Sequence, residues 1–204
     1  MLKRARQSQA GFNLIEVVVV IAVLGIMAAA ALPSMTDWIR SARLRGVAET
    51  TQAGLQKARV EAMKRNQVVT FWLVSPSTTA SPDSACALAA DSAAWVISVD
   101  DPAGKCQEEP SLTVAPRLVE KYGPGPGAAD VVVEAKAADG ATAAKSVSFN
   151  GYGQTVRTGT PVATIDVTHV SATGRRLRIQ VSPSGSVRMC DRDVALPDSR
   201  ACTP

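Results

Sequence analysis

Few residues in this chain could carry chemistry. The one histidine, His169, closes a strand-like run without an evident serine, cysteine or aspartate partner, so neither a hydrolase triad nor a general base is assembled around it. Cys86, Cys106, Cys190 and Cys202 include no C-x-x-C pair, which argues against zinc ligation and for disulfides of an oxidising compartment. Neighbours are expected to pair, Cys86 with Cys106 and Cys190 with Cys202, each closing a short loop. The Gly-rich segment from Gly123 to Gly127 alternates with prolines, which lack the N–H groups a phosphate cradle needs. Trp38, Trp72 and Trp95 stand without interleaved basic residues and read as packing or subunit contacts. Two features remain: a single carboxylate, Glu16, inside an apolar run, and a set of arginines, Arg175, Arg176, Arg178, Arg188 and Arg192, near the C-terminus. Neither is a catalytic constellation, so the expectation is a non-enzyme with no cofactor and no metal.

The charge distribution sharpens this. Lys plus Arg number 22 and Asp plus Glu 18, a net +4, but Lys3, Arg4 and Arg6 precede every acid, so 19 minus 18 leaves +1 from residue 12 onward. Basicity is therefore mostly a leader, and any nucleic-acid argument rests on local clustering. A mean hydropathy of +0.08 with 46% apolar residues excludes a polytopic membrane protein and opposes wholesale disorder.

Behind the leader, Phe12-Asn13-Leu14-Ile15-Glu16 opens an uncharged, nearly aliphatic run from Val17 to Leu32, followed by Pro33. Residues 12–32, at roughly 1.5 Å each, would span about 30 Å as a helix, the thickness of a bilayer core. Basic residues before the run keep the N-terminus cytoplasmic and send the rest out. A carboxylate at mid-bilayer would cost roughly 2.5–3.5 kcal/mol, so Glu16 needs the headgroup region or a partner. An ordinary signal-anchor satisfies it one way; a secretory signal cut near Ala28–Ala31 would remove it.

The segment Gly11-Phe12-Asn13-Leu14-Ile15-Glu16 resembles the leader-peptidase site of type IV pilins and pseudopilins. That resemblance implies that prepilin peptidase cuts after Gly11 and methylates the new N-terminal Phe12. It also implies that Glu16 meets the N-terminal amine of a neighbouring subunit, turning a membrane liability into an assembly register.

Past Pro33 the pattern changes. With Ser34 as cap, Leu44, Val47, Ala48, Thr51, Leu55, Ala58 and Ala62 recur at steps of three and four and predict an amphipathic helix lying on a sheet. Its opposite face is basic: Arg40, Arg43, Arg45, Lys57, Arg59, Lys64 and Arg65 against Glu49 and Glu61. From Val68 the grammar is β, with strands expected at 68–74, 95–99, 112–119, 131–134, 147–149, 162–170, 176–181 and 186–190, and loops over 75–94 and 123–127. The chain thus divides into a leader (1–11), a transmembrane or filament-core helix (12–33), an amphipathic helix (34–66) and a β-rich domain (67–204) with a disulfide-tied tail. The fold class is α+β, a long helix packed on an antiparallel sheet domain.

Segments Ala58–Ala62, Lys64-Arg65-Asn66, Phe149-Asn150-Gly151-Tyr152-Gly153 and Gly185–Cys190 are similar to the GspH/FimT group of pilin-like proteins. The resemblance implies minor pilins of type IV pili, pseudopilins of type II secretion, or DNA-binding proteins of natural transformation that use a Gly-Arg-x-Arg motif near the last cysteines. Here that place reads Gly185-Ser186-Val187-Arg188, with one arginine of the two. The preceding strand could compensate. A three-residue loop 183–185 pairs Val181 with Val187 and Ile179 with Met189, apolar with apolar, and sets Gln180 opposite Arg188. Arg176, Arg178 and Arg188 then share one exposed face, with Arg175 and Arg192 at its rim, a surface suited to double-stranded DNA phosphates or to plain solvation.

The reading is a minor type IV pilin, with DNA capture as an added role. Its expected partners are other pilin or pseudopilin subunits, prepilin peptidase and the bacterial inner membrane, with the folded domain exported. A type II secretion pseudopilin and a signal-anchored periplasmic binding domain are the alternatives.

Overall fold

The computed structural model describes residues 13–76, 81–123, 125, 128–171 and 175–202. One helix, α1, runs from Leu14 to Arg65. The chain divides into two compact units, Met1–Ile39 and Arg40–Pro204, and α1 contributes to both.

In the first unit the described apolar side chains, from Leu14 to Met27, are exposed. The expected stop at Pro33 with a cap at Ser34 does not occur, because the backbone stays helical through both positions. A proline removes one N–H and crowds the preceding turn, which kinks a helix more readily than it ends one when helix formers continue on both sides. Among the described residues no helix is long and apolar enough to cross a membrane. The described side chains of the apolar run reach from Asn13 to Ala28, whereas the run itself continues in sequence to Leu32.

In the second unit the helix buries the stripe that its periodicity marks: Leu44, Val47, Ala48, Thr51, Leu55, Ala58 and Ala62 all have 5% exposure or less. Two antiparallel sheets receive it. The first contains β1 (Val69–Ser75), β2 (Ala87–Leu88), β3 (Trp95–Ser98), β4 (Leu118–Tyr122) and β6 (Ser146–Phe149). Strand β3 lies on one edge of β1, with β4 beyond it. Leu73 donates to Lys145 and accepts from Ala89, so β6 and β2 lie end to end along the other edge. The second sheet has the order β5-β7-β8-β9, with β5 at Val131–Lys136, β7 at Thr164–His169, β8 at Leu177–Val181 and β9 at Val187–Asp191.

Odd positions of β1, Val69, Phe71 and Leu73, join the core under α1, together with Trp95, Ile97, Ile165, Ile179 and Val181. Burying side chains of this size contributes roughly 1.5–3 kcal/mol each. Gly54 sets the helix-to-sheet distance, since a Cβ there would stand 2.8 Å from the Trp95 ring and 3.0 Å from Phe71. On the other face of β1, Val74, Val96 and Leu118 form a second small core with Cys86 and Cys106. Burial on both faces explains why this strand reads as an almost unbroken apolar run.

Two strand expectations need correction. Residues 112–117 form a turn, in which Ser111 Oγ accepts from the N–H groups of Thr113 and Val114, leaving Leu112 and Val114 exposed. Pairing begins only at Leu118, after Arg117 takes φ +52° and clamps Asp100 with two hydrogen bonds of 2.8 and 2.5 Å. Within the expected loop 75–94, β2 makes two pairs with β1, too short a strand to leave a periodic signal.

Candidate functional site

The short motifs scattered through the second unit converge on one junction. α1 ends as Asn66 adopts φ +49°, with Gln67 N–H donating to Ala62 C=O and Asn66 N–H to Met63 C=O, both at 3.3 Å, a left-handed helix stop. Lys64 and Arg65 in the last turn complement the helix dipole, and both reach Glu61. Burial of Glu61 favours its neutral form, but the hydrogen bond and charge of Arg65, with the charge of Lys64, outweigh it and lower its pKa.

Against this helix end sits the turn 150–153. Asn150 Oδ1 accepts from the N–H groups of Tyr152 and Gln154, both at 3.0 Å. Gly151 is pressed on Asn66, where a Cβ would overlap, and the Gly153 carbonyl accepts from Arg59 Nε at 3.0 Å. The hairpin tip closes the junction from the third side. Gly185, at φ +81°, leaves room for the Gly153 carbonyl that any Cβ would strike, and the Thr155 N–H and Oγ both donate to Pro183 C=O at 3.2 Å.

The β8–β9 hairpin has the register expected from its apolar pairs: Val181 faces Val187, Ile179 faces Met189 and Gln180 faces Arg188. Its arginines, however, are not a bare cationic face. β7 places Asp166 opposite Arg178, and this aspartate, 3% exposed, accepts from Arg178 Nε at 2.6 Å and Nη2 at 2.8 Å and from Arg192 Nη1 at 3.1 Å. The Asp166 hydrogen bond raises the Arg178 pKa against the effect of burial. Arg175 Nε donates to the buried Asp191 at 2.5 Å. Arg176 binds Asp193 through its backbone N–H at 2.8 Å and its Nε at 2.7 Å, which lowers the Asp193 pKa. Arg188 has no carboxylate among these contacts; its Nη2 donates to the carbonyls of Ser199 at 2.8 Å and Ala201 at 3.2 Å.

Those carbonyls belong to the tail, which is held three ways. Cys190 is bonded to Cys202, Asp191 N–H donates to Arg200 C=O at 2.8 Å, and Arg188 binds the tail backbone. A second disulfide joins Cys86 to Cys106. Asp166 is the residue that reading the sequence missed: alternation along Ile165-Asp166-Val167 puts it on the face of Arg178, but only the β7–β8 register brings the two together.

Glu16 lies in the first turn of α1 and is exposed in the described chain, while Gly11 and Phe12 lie outside the described residues. Among the described residues no group of His, Cys, Asp or Glu could hold a metal ion. His169 Nδ1 meets Ser171 Oγ at 2.7 Å, and its Nε2 has no partner, so no carboxylate orients the ring as a catalytic base requires.

The arrangement braces a helix, a turn and a hairpin. Residues 47–185, 139 of the 204, match the family described as Type II transport protein GspH. The chain belongs to the GspH family. Residues 6–32 match the prokaryotic N-terminal methylation motif. Two crystal structures of the Pseudomonas aeruginosa type IV minor pilin FimU are similar. One is 16% identical, covering 71% of this chain and 90% of that chain with a TM-score of 0.45. The other is 19% identical, covering 74% and 91%, with a TM-score of 0.46. No curated protein matches the chain. As a GspH-family protein with a methylation motif, it is a pilin-like subunit, a minor pilin or a pseudopilin, and its family is one of structural proteins.

Proposed function

We propose that the chain is a minor subunit of a type IV pilus, cut after Gly11, N-methylated at Phe12 and held in the inner membrane by residues 12–32 until it enters the filament. The observation that carries this reading is the methylation-motif match over residues 6–32, which takes in the start of α1, where the described apolar side chains from Leu14 to Met27 are exposed. In a filament those side chains would be covered by other subunits, and Glu16 would register against a neighbour's amine. Intact mass of the membrane-extracted protein tests it. The expected product is a methylated chain of 204 minus 11, or 193, residues beginning at Phe12. A start near Ser34 or an uncut chain would refute it.

A pseudopilin of a type II secretion system is the second reading, favoured by the description of the matched family. DNA capture draws less support from the geometry. With Arg175, Arg176 and Arg178 on aspartates, Arg188, bound to tail carbonyls, is the one of the four candidates whose charge meets no carboxylate among the described contacts. The slope of log duplex affinity against log salt should then be near −1 rather than about −3.

A further inference from the structure

The arginines of the second sheet and its tail follow one rule with one exception. Arg175, Arg176, Arg178, Arg192 and Arg200 each meet an aspartate. Arg188 meets none among the described contacts; its Nη2 goes to tail carbonyls, which leaves its charge without a counter-ion there. It ends a cross-strand row on the outward face of the sheet, where Thr164 of β7 pairs with Gln180 of β8 and Gln180 with Arg188 of β9. An open hollow of about 360 Å³ lies over this row toward the hairpin tip, at the small end of the range for ligand pockets. Its polar lining is Thr164, Gln180, Ser182, Ser186 and Arg188, with no acid among them.

The hydroxyls at the tip have a donor to spare. Ser182 Oγ is bonded to Ser184 Oγ at 2.8 Å and to Ser186 Oγ at 2.9 Å, and it accepts from the Ser186 N–H at 3.1 Å. Two bonds among three hydroxyls use two protons, so one O–H is left to donate elsewhere. When the bonds run from Ser184 through Ser182 to Ser186, that donor is the Ser186 hydroxyl, in the wall of the hollow. A single cation among neutral hydroxyl and amide groups matches a ligand with one negative charge on a body that itself carries hydroxyls. A phosphate monoester brings nearly two charges and would leave one unmatched. A nucleic-acid duplex presents its charges in a row, and Arg178 and Arg192, which could follow that row, are held by Asp166. We propose that the hollow binds a hydroxylated carboxylate, a sugar acid of the uronate class, with the carboxylate on Arg188 and Ser186 and the ring hydroxyls toward Thr164 and Gln180. The site stands apart from the subunit reading, and its test uses neither processing nor filament assembly.

Saturation-transfer NMR reads binding to the full chain in a detergent without a sugar headgroup, titrated in turn with glucuronate, glucose and acetate at constant ionic strength. Glucuronate should bind saturably and at least about tenfold more tightly than glucose, which lacks the charge, or acetate, which lacks the hydroxyls. Inorganic phosphate is scored by its power to displace glucuronate and should be the weaker of the two. Arg188→Gln should cost at least about tenfold in glucuronate affinity, and Ser186→Ala, which leaves the arginine and the tail contacts in place, about threefold. Lys105→Gln, at an exposed position outside the hollow, should change nothing. No saturable binding of glucuronate up to about 100 mM would overturn the proposal, as would glucose or acetate binding as tightly as glucuronate. Wild-type affinity in both Arg188→Gln and Ser186→Ala would move the ligand elsewhere and overturn it too. Phosphate displacing glucuronate at the lower concentration would give the hollow to phosphate instead.

Discussion

Replacing Asp166 by alanine removes the acceptor of three hydrogen bonds from two arginines. Breaking a fully buried ion pair by deleting one partner costs about 3–5 kcal/mol, since a charge is left without compensation. Here the carboxylate is 4% exposed as a side chain but Arg178 is 26% and Arg192 35%, so water repays part of the loss. A loss of about 2–3 kcal/mol follows after that discount. For a domain of this size each kcal/mol moves the melting temperature by about 2–4 °C, giving a drop of about 4–12 °C. Urea and thermal unfolding of the full chain in detergent, followed by circular dichroism, read both quantities. Pairing Asp166→Leu with Arg178→Met should recover part of the loss relative to Asp166→Ala, because the strongest charge pair is then removed from both sides. The freed arginines of Asp166→Ala should also steepen the salt dependence of duplex DNA binding relative to wild type. An Asp166→Ala protein within about 0.5 kcal/mol of wild type would refute the claim that these arginines are spent on the fold.

Other expectations follow from the same unit. Gly185→Ala should lower stability by about 1–3 kcal/mol, since φ +81° and the Gly153 carbonyl both oppose a Cβ, whereas a change below about 0.3 kcal/mol in chemical denaturation would contradict the junction. Cys190→Ser with Cys202→Ser should remove about 3 kcal/mol and free the tail to proteolysis, and non-reducing peptide mapping should recover the 86–106 and 190–202 pairs. Acid should loosen the hairpin and tail. The pKa of Asp193 is held down by Arg176 and that of Asp198, by Arg200, to about 2, so each contributes stability above its unfolded value near 4 that is lost as pH falls through the folded value. Protection of the 190–202 amides from exchange, relative to an unstructured chain at the same pH, should therefore fall between about pH 4 and pH 2, and protection that stays flat there would count against the pairing.

Much of the architecture was legible because it follows from periodicity. The seven core positions of α1 recur at helical spacing, and the hairpin register is fixed by two apolar pairs and a three-residue loop closed by Gly185. What was not legible depends on distant partners. Leu112 and Val114 have strand-forming side chains, yet the turn over Ser111 and the left-handed Arg117 place them in solvent. Arg178 and Arg192 looked available because Asp166 acts across a strand pair, and only the β7–β8 register brings it to them. Pro33 looked like a boundary because it lacks an N–H, but helix-forming residues continue on both sides of it and the backbone stays helical.

The central claim, that this GspH-family chain works as an assembled subunit, is tested most directly by its presence in filaments sheared from cells. Wild type should co-purify with the major subunit, while Glu16→Ala, still cut after Gly11 and present in the membrane, should be lost from the filament fraction. Undiminished incorporation of Glu16→Ala, or absence of the wild-type chain from any pilus or pseudopilus preparation in which the other subunits are found, would contradict the account.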